Sequence, residues 1–154
     1  MISPPQNGGD FSSRKGDVYE KGEIYEGRVQ EVLFPDKAIV VTDEGETAQV
    51  KYGIPGQKLR FRVKKKRKEK IEGILLEILE KSADETACLC EWAGKCGGCL
   101  YQTLPYEKQL AIKEAQIKKM LDNGGTDYTF EGIVSSPVVS GYRNKVELTF
   151  GDSY

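Results

Sequence analysis

Four cysteines are the residues of this sequence best suited to chemistry. All four fall within twelve positions, and the rest of the 154-residue chain contains none. They are Cys88, Cys90, Cys96 and Cys99. Gly97 and Gly98 separate the last two and let the backbone fold tightly enough for two thiolates to face one ion. The spacing predicts a metal centre, either a structural zinc held by all four cysteines or an iron–sulfur cluster held by three or four of them. Four buried free thiols are the alternative.

The chain contains no histidine, which excludes Ser-His-Asp and Cys-His catalysis and His-ligated zinc. No apolar run is long enough for a signal peptide or a membrane span, so we expect a cytoplasmic protein with no membrane partner. In a reducing cytoplasm clustered cysteines more often bind a metal than form disulfides. In an oxidising compartment the same four could form two disulfides with any of three connectivities.

Basic residues are concentrated in residues 58–70, which contain nine Lys and Arg and only one Glu, although the whole chain has a net charge of −1. Such a concentration indicates a surface that binds a polyanion by following its phosphates without reading sequence. The candidate residues are Arg60, Arg62, Lys64, Lys66, Arg67 and Lys68. A solvated edge strand protected by lysines is the alternative interpretation.

The elements that position these residues begin after a flexible tail predicted over residues 1–17. Over residues 18–81, short β-branched runs separated by Gly, Pro and Asp turns predict a mainly β domain, a five-stranded antiparallel OB-like barrel. In the fourth strand Leu59, Phe61 and Val63 alternate with cations, which places the apolar side chains inside. In the fifth strand, residues 71–79, we expect three apolar residues to share one face. They are Ile74, Leu76 and Ile78.

The rest of the chain is predicted as a cysteine-rich segment, residues 82–104, followed by an α+β region, residues 105–154. Pro105 starts an amphipathic helix that Gly124 ends, and its apolar stripe is expected to be core. The stripe consists of Tyr106, Leu110, Ile117 and Leu121. Ile133 and Val134 and then the alternating Val146, Leu148 and Phe150 indicate the first strands of a central domain. One helix and one or two strands cannot bury each other's apolar faces, so we expect the chain to be the front part of a larger protein.

Three segments carry a resemblance to a known family. They are Cys90-Glu-Trp-Ala-Gly-Lys-Cys96-Gly-Gly-Cys99-Leu-Tyr-Gln102, Tyr106-Glu-Lys-Gln109-Leu110 and Tyr142-Arg143-Asn144-Lys145-Val-Glu-Leu-Thr-Phe-Gly. Together with the basic barrel and its Gly-Ile-Pro-Gly loop, they resemble the N-terminal portion of the TRAM-domain RNA (uracil-5-)-methyltransferases of the RumA/TrmA type. The resemblance covers about residues 18–152.

The resemblance implies a protein that methylates C5 of a uridine in structured RNA with S-adenosylmethionine. We expect ribosomal RNA rather than tRNA as the substrate, and a monomer. It implies no catalytic residue in this chain, because the nucleophilic cysteine, the general base and the methyl-donor site are expected beyond residue 154. The chain alone is then inactive. A stand-alone OB-fold RNA-binding module with a four-cysteine zinc site is the alternative.

For individual residues, the resemblance implies that Cys90, Cys96 and Cys99 match the Cys-x5-Cys-x2-Cys trio that holds a [4Fe-4S] cluster. Cys88 lies outside that pattern, and we expect the fourth ligand beyond residue 154 rather than at Cys88. The basic residues named above would bind RNA. Arg143 would border the pocket that receives the flipped uridine, the alternative being that it pairs with an acid at the start of a strand.

Overall fold

The computed structural model describes residues 20–67, 70–92, 98–125, 127–142, 144–145 and 147. These residues form five strands and one helix. The elements are β1 (Ile24–Leu33), β2 (Lys37–Thr42), β3 (Thr47–Lys51), β4 (Lys58–Arg67), β5 (Lys70–Glu80) and α1 (Tyr106–Asn123). The helix of this described part lacks the apolar length needed to cross a membrane.

The five strands hydrogen-bond into a ring in the order β1-β2-β3-β5-β4, in which β4 also pairs with β1. The other pairings are antiparallel, but β3 and β5 are parallel, from Ala48 opposite Ile71 to Val50 opposite Gly73. The prediction of an all-antiparallel arrangement is therefore wrong at this pairing. Strand direction cannot alternate all the way around a closed ring with an odd number of strands, so at least one neighbouring pair must be parallel.

The core lies inside the ring, where period-two alternation brings one side chain in two from each strand. In β4, Leu59, Phe61 and Val63 are at most 1% exposed, which confirms their predicted inward position. Val29, Val40 and Val50 from β1, β2 and β3 surround them. Tyr101 and Leu104 join this core from the segment that follows the strands.

The prediction that Ile74, Leu76 and Ile78 share one face of β5 is wrong. Ile74 lies opposite the exposed Arg62, whereas Ile78 lies opposite the buried Leu59, because the pairing shifts register between Arg60 and Phe61. Ile74, Leu76 and Ile78 are all at least 42% exposed. The inward positions are instead Ile71, Gly73 and Leu75. A Cβ atom at Gly73 would lie 2.4 Å from Cδ2 of Phe61, so the glycine makes room for the aromatic ring.

Helix α1 begins directly after Pro105 and ends before Gly124, as predicted. Its apolar stripe is only partly core, since Ile117 and Leu121 are each 40% exposed. The face that contacts the strands contains Gln116, which is 6% exposed, and Ile112. A polar residue at the centre of the contact is the reason that an apolar stripe did not predict the packed face.

The segment after α1 contacts the helix without forming a strand in residues 127–142. The Tyr128 hydroxyl donates to Oδ1 of Asp122 at 2.5 Å, and the Ser136 amide donates to the Tyr106 hydroxyl at 2.8 Å. The strand expected at residues 133–134 is therefore absent from this described segment. The strand predicted on Val146, Leu148 and Phe150 lies outside the described residues.

Candidate nucleic-acid interface and cysteine loop

Arg60 lies on the outer face of the ring between two acidic residues. The strand register places Glu26 of β1 and Glu77 of β5 on either side of it. Its Nε and Nη2 donate to Oε1 of Glu26 at 3.0 and 2.8 Å, and its Nη1 donates to Oε2 of Glu77 at 2.7 Å. The hydrogen bond with Glu26 raises the pKa of Arg60. The sequence groups Arg60 with the polyanion-binding cations, but its guanidinium is already paired with two carboxylates.

The cations next to Arg60, toward the start of β4, are paired as well. The Lys58 ammonium lies 3.0 Å from a carboxylate oxygen of Asp43, and this hydrogen bond raises the pKa of Lys58. Arg28 forms an ion pair with Glu80 and donates from Nη1 to the carbonyl oxygen of Gly56 at 2.7 Å. This half of the outer face is therefore close to electrically neutral.

The far end of β4 has the opposite character. We define the distal basic end as Arg62, Lys64, Lys65 and Arg67. All four are exposed, and within the part of the chain that the structure describes none of them forms an ion pair with a carboxylate. Arg62 lies between Ile24 and Ile74 in the strand register, where neither neighbour offers a charge. Lys66 is exposed in the same stretch, and Lys68 lies outside the described residues.

Within the described residues no carboxylate pairs with the charges of the distal basic end, so these cations are available to attract a polyanion. Lys65 belongs to it, although sequence reasoning did not select this residue. The missing information is the position of the acidic partners. Glu26 and Glu77 are distant from Arg60 in sequence, and only the strand register brings the three together.

The cysteine segment forms a loop that is closed at its base. We define the cysteine loop as residues 87–102. The Thr86 amide donates to the carbonyl oxygen of Thr103 at 2.7 Å, and the Thr86 hydroxyl donates to the same oxygen at 3.3 Å. The two ends of the loop are therefore held together, although the sequence between them contains no helix or strand in the described residues.

The first end of the cysteine loop is fixed to the strands by a buried glutamine. Gln57 is 1% exposed, and its Nε2 donates to Oε1 of Glu85 at 2.8 Å. The same carboxylate oxygen accepts the Ser82 amide at 2.8 Å, while Oε1 of Gln57 accepts the Ile54 amide at 2.9 Å. Gln57, directly before β4, thus connects the ring to the start of the cysteine segment.

The second end is fixed by Tyr101 and Gln116, which sequence reasoning also missed. Nε2 of Gln116 donates to the Tyr101 hydroxyl and to the carbonyl oxygen of Val32, both at 3.0 Å. The Tyr101 hydroxyl lies 3.4 Å from the carbonyl oxygen of Pro35. Burial raises the pKa of Tyr101. These bonds join the cysteine loop, helix α1 and the end of β1.

Two of the three cysteines predicted as cluster ligands lie in the described residues. Cys90 is half-buried and Cys99 is exposed, while Cys88 is half-buried, and all three are free thiols. Cys96 and Arg143 lie outside the described residues. Within the described residues no three Cys, Asp or Glu side chains are close enough together to hold a metal ion. The trio itself remains a prediction because Cys96 is one of its members.

Comparisons with known proteins relate the chain to a group of enzymes. A protein of Caldanaerobacter subterraneus subsp. tengcongensis named an uncharacterized RNA methyltransferase is 44% identical over 132 residues, which are 85% of this chain and 29% of that protein. A protein of the same description from Clostridium tetani is 41% identical over 133 residues, 86% of this chain and 29% of its own length. The chain is related to proteins named RNA methyltransferases.

Another such relative, from Clostridium acetobutylicum, is 38% identical over 136 residues, 88% of this chain and 30% of that RNA methyltransferase. The chain thus spans less than a third of the length of these curated relatives. No family model matches it.

Proposed function

We propose that this chain is the RNA-binding N-terminal portion of an S-adenosylmethionine-dependent RNA (uracil-5-)-methyltransferase that acts on a structured RNA, with ribosomal RNA as its substrate. The observation that carries the proposal is the 44% identity over 132 residues to a protein named an RNA methyltransferase. In this proposal the nucleophilic cysteine, the general base and the methyl-donor site belong to residues outside these 154.

The ring of strands supports the assignment of residues 18–81 as an OB-like TRAM domain. A closed five-stranded ring is the architecture of OB folds, which frequently bind oligonucleotides. The distal basic end supplies four exposed cations along one strand, so it can follow an RNA backbone through phosphate contacts. Arg62, Lys64, Lys65 and Arg67 would contribute this contact, whereas Arg60 would hold strands β1, β4 and β5 together.

The cysteine loop would hold a [4Fe-4S] cluster through Cys90, Cys96 and Cys99 in the same proposal. The support from the structure is the closed base of the loop, which limits the conformations of the segment that carries these thiols. When bound, the cluster would add cross-links that stabilise the loop. Cys88, which falls outside the Cys-x5-Cys-x2-Cys spacing, would not be a ligand.

RNA binding by the chain tests the first part of this proposal. Fluorescence anisotropy with a labelled RNA stem-loop should show binding that weakens as salt is added, because phosphate contacts release counterions. The double variant Arg62→Ala/Lys64→Ala should bind at least about tenfold more weakly, the loss expected for two phosphate contacts. Lys113→Ala, which removes an exposed helical lysine, serves as the matched control. Equal affinities for the two variants would contradict the assigned interface.

Metal analysis and methyl transfer test the rest. Protein purified without oxygen should contain iron and sulfide, whereas one zinc and no iron would favour a stand-alone zinc-containing RNA-binding module.

The methyl-transfer activity needs a longer protein, one that matches the RNA methyltransferase relatives over their whole length. This protein should transfer a labelled methyl group from S-adenosylmethionine to C5 of a uridine. Modification at another atom, found by digestion of the RNA to nucleosides, would contradict the uracil-5 assignment.

A further inference from the structure

Two exposed isoleucines lie on either side of Arg62 on the outer face of the ring. The antiparallel register places Ile24 of β1 directly opposite Arg62, and it places Ile74 of β5 on the other side of the same residue. Ile24 is 56% exposed and Ile74 is 42% exposed. Residues opposite each other in neighbouring strands share a face and have Cβ atoms about 5 Å apart. We define the Arg62 row as Ile24, Arg62 and Ile74.

A row of different chemistry lies two residues earlier on the same face of β4. There Arg60 is placed between Glu26 and Glu77, and its guanidinium donates hydrogen bonds to both carboxylates. In the Arg62 row aliphatic side chains occupy the two positions that would supply such carboxylates. Within the part of the chain that the structure describes, Arg62 forms no ion pair. The Arg62 row therefore combines an available cation with two apolar side chains that lie in water.

We infer that the Arg62 row binds one nucleotide of the RNA, with Arg62 on the phosphate and the two isoleucines against the ribose and base. This inference rests on the proposed RNA-binding function. Covering exposed aliphatic side chains with the ribose and the face of a base removes apolar surface from water, which stabilises the complex. The aliphatic neighbours also lower the local dielectric around the guanidinium, so its attraction to a phosphate becomes stronger.

The position of the Arg62 row favours RNA over an apolar protein surface as its ligand. Lys64 and Lys65 continue along β4 from Arg62, and both are exposed. An apolar partner that covered the row would come close to these cations without offering them an opposite charge. A nucleic-acid strand that places one nucleotide on the row offers the next phosphates to the two lysines. Charge complementarity therefore selects a ligand that has both apolar and anionic parts.

Substitution of isoleucine by threonine tests the apolar contact, because threonine keeps the branched shape and the preference for strands but is more polar. Ile74→Thr should bind an oligouridine of about 12 nucleotides about threefold more weakly, the effect of removing about 25 Å² of apolar contact. Ile24→Thr/Ile74→Thr should bind it about tenfold more weakly. Ile78→Thr is the matched control, since Ile78 is 44% exposed on the same strand but follows Glu77 in the neutralised half. This control should bind like the wild type.

The salt dependence separates the apolar contact from the phosphate contact in the same variants. Apolar contacts release no counterions, so the slope of log affinity against log salt should be the same in Ile24→Thr/Ile74→Thr and in the wild type. Arg62→Ala should instead make the slope less steep by about 1. A smaller slope in the isoleucine double variant would overturn the inference, because the substitutions would then act through the phosphate contact.

Inorganic polyphosphate provides a ligand that has the charges of RNA without ribose or base. The wild type and Ile24→Thr/Ile74→Thr, each verified as folded by circular dichroism, should bind polyphosphate equally. The wild type alone gives a second measurement, since at raised salt it should bind oligouridine more tightly than polyphosphate of the same charge. Equal affinities of the wild type for these two ligands would overturn the inference.

The remaining outcomes distinguish the inference from the proposed function. Unchanged oligouridine affinity in Ile24→Thr/Ile74→Thr would refute the nucleotide contact and assign the two isoleucines to a protein partner, while the proposed RNA-binding function would stand. An equal loss of affinity for oligouridine and polyphosphate would also refute the contact. The absence of any RNA binding by the wild type would refute both the inference and the proposed function.

Discussion

The Thr86 amide donates a hydrogen bond to the carbonyl oxygen of Thr103 at 2.7 Å, across 17 positions of sequence. This bond closes the loop on which the four cysteines lie. A residue near each end of the loop is joined to the ring of strands, Glu85 through Gln57 and Tyr101 through Gln116, which also donates to the carbonyl oxygen of Val32 in β1. Hydrogen bonds to the strands and to the helix therefore hold both ends of the cysteine segment in place.

Glu85→Ala should destabilise the chain by about 1–3 kcal/mol, because it leaves the Nε2 of the buried Gln57 without its acceptor. Glu85→Gln retains an oxygen at that position and should recover most of the loss. The free energy of unfolding in urea measures both changes. The reaction rates of Cys88 and Cys90 with a thiol reagent should also rise in Glu85→Ala, since opening the anchor exposes these half-buried thiols. Unchanged rates would show that the anchor does not restrain the loop.

Gln116 and Tyr101 should be energetically coupled. Gln116→Ala removes both hydrogen bonds of its amide and should cost about 1–3 kcal/mol of unfolding free energy, since two acceptors lose their donor in a buried contact. Tyr101→Phe removes only the hydroxyl. A double-mutant cycle should therefore show that the two losses are less than additive, by about 0.5 kcal/mol or more. Additive losses would mean that the two side chains act independently.

Tyr101 should ionise at a higher pH than a free tyrosine. Burial is the main cause of its raised pKa, and the unfolded chain releases the same proton near the usual value of about 10. The contribution of the neutral phenol to stability is therefore complete below about pH 10. It is lost as the pH rises through the folded pKa. As the pH rises from about 10 through the folded pKa of Tyr101, the free energy of unfolding in urea should therefore fall less steeply in Tyr101→Phe than in the wild type. The pKa of Tyr128 is also raised, by its hydrogen bond to Asp122. The variant Tyr128→Phe therefore measures how much of the pH dependence comes from Tyr128 rather than from Tyr101.

The local pattern predicted the elements better than it predicted their faces. Five strands and a helix between Pro105 and Gly124 follow from β-branched runs, turn residues and helical spacing. In β5 the prediction failed at Gly73, because a glycine that makes room for Phe61 resembles a break in the apolar row. In α1 it failed at Gln116, because the polar groups of Val32 and Tyr101 that this side chain satisfies come from distant parts of the sequence.

The sequence predicted that the candidate interface consists of cations, but it did not predict which of these cations are left without acidic partners in the described residues. A run of cations is visible in the sequence, and the structure divides it between Arg60 and Arg62. The division depends on Glu26 and Glu77, whose positions beside Arg60 are set by strand pairing and by a register shift in β5. Charge patterns along the sequence contain no such information about neighbouring strands.

Arg60 and Arg62 should respond differently to the same substitution. Arg60→Ala removes a side chain that joins Glu26 and Glu77, so the melting temperature should fall while RNA affinity changes little. Arg62→Ala breaks no ion pair in the described residues and should weaken RNA binding with the melting temperature unchanged. With four phosphates neutralised by the distal basic end, the slope of log affinity against log salt should be about −3 to −4. A salt-independent affinity would reduce these cations to a role in solubility.

Cys90 and Cys88 should differ in metal binding, because only Cys90 is expected to be a cluster ligand. Cys88 and Cys90 are only two residues apart and are both half-buried, so serine at either position changes the local environment in a similar way. Cys90→Ser should remove most of the bound metal, because a three-cysteine site loses a ligand. Cys88→Ser should leave the metal content unchanged, which makes it the matched control. Metal content is measured by elemental analysis of protein purified without oxygen. If Cys88→Ser removes the metal and Cys90→Ser does not, the assignment is wrong, and if both remove it, all four cysteines act together as expected for zinc.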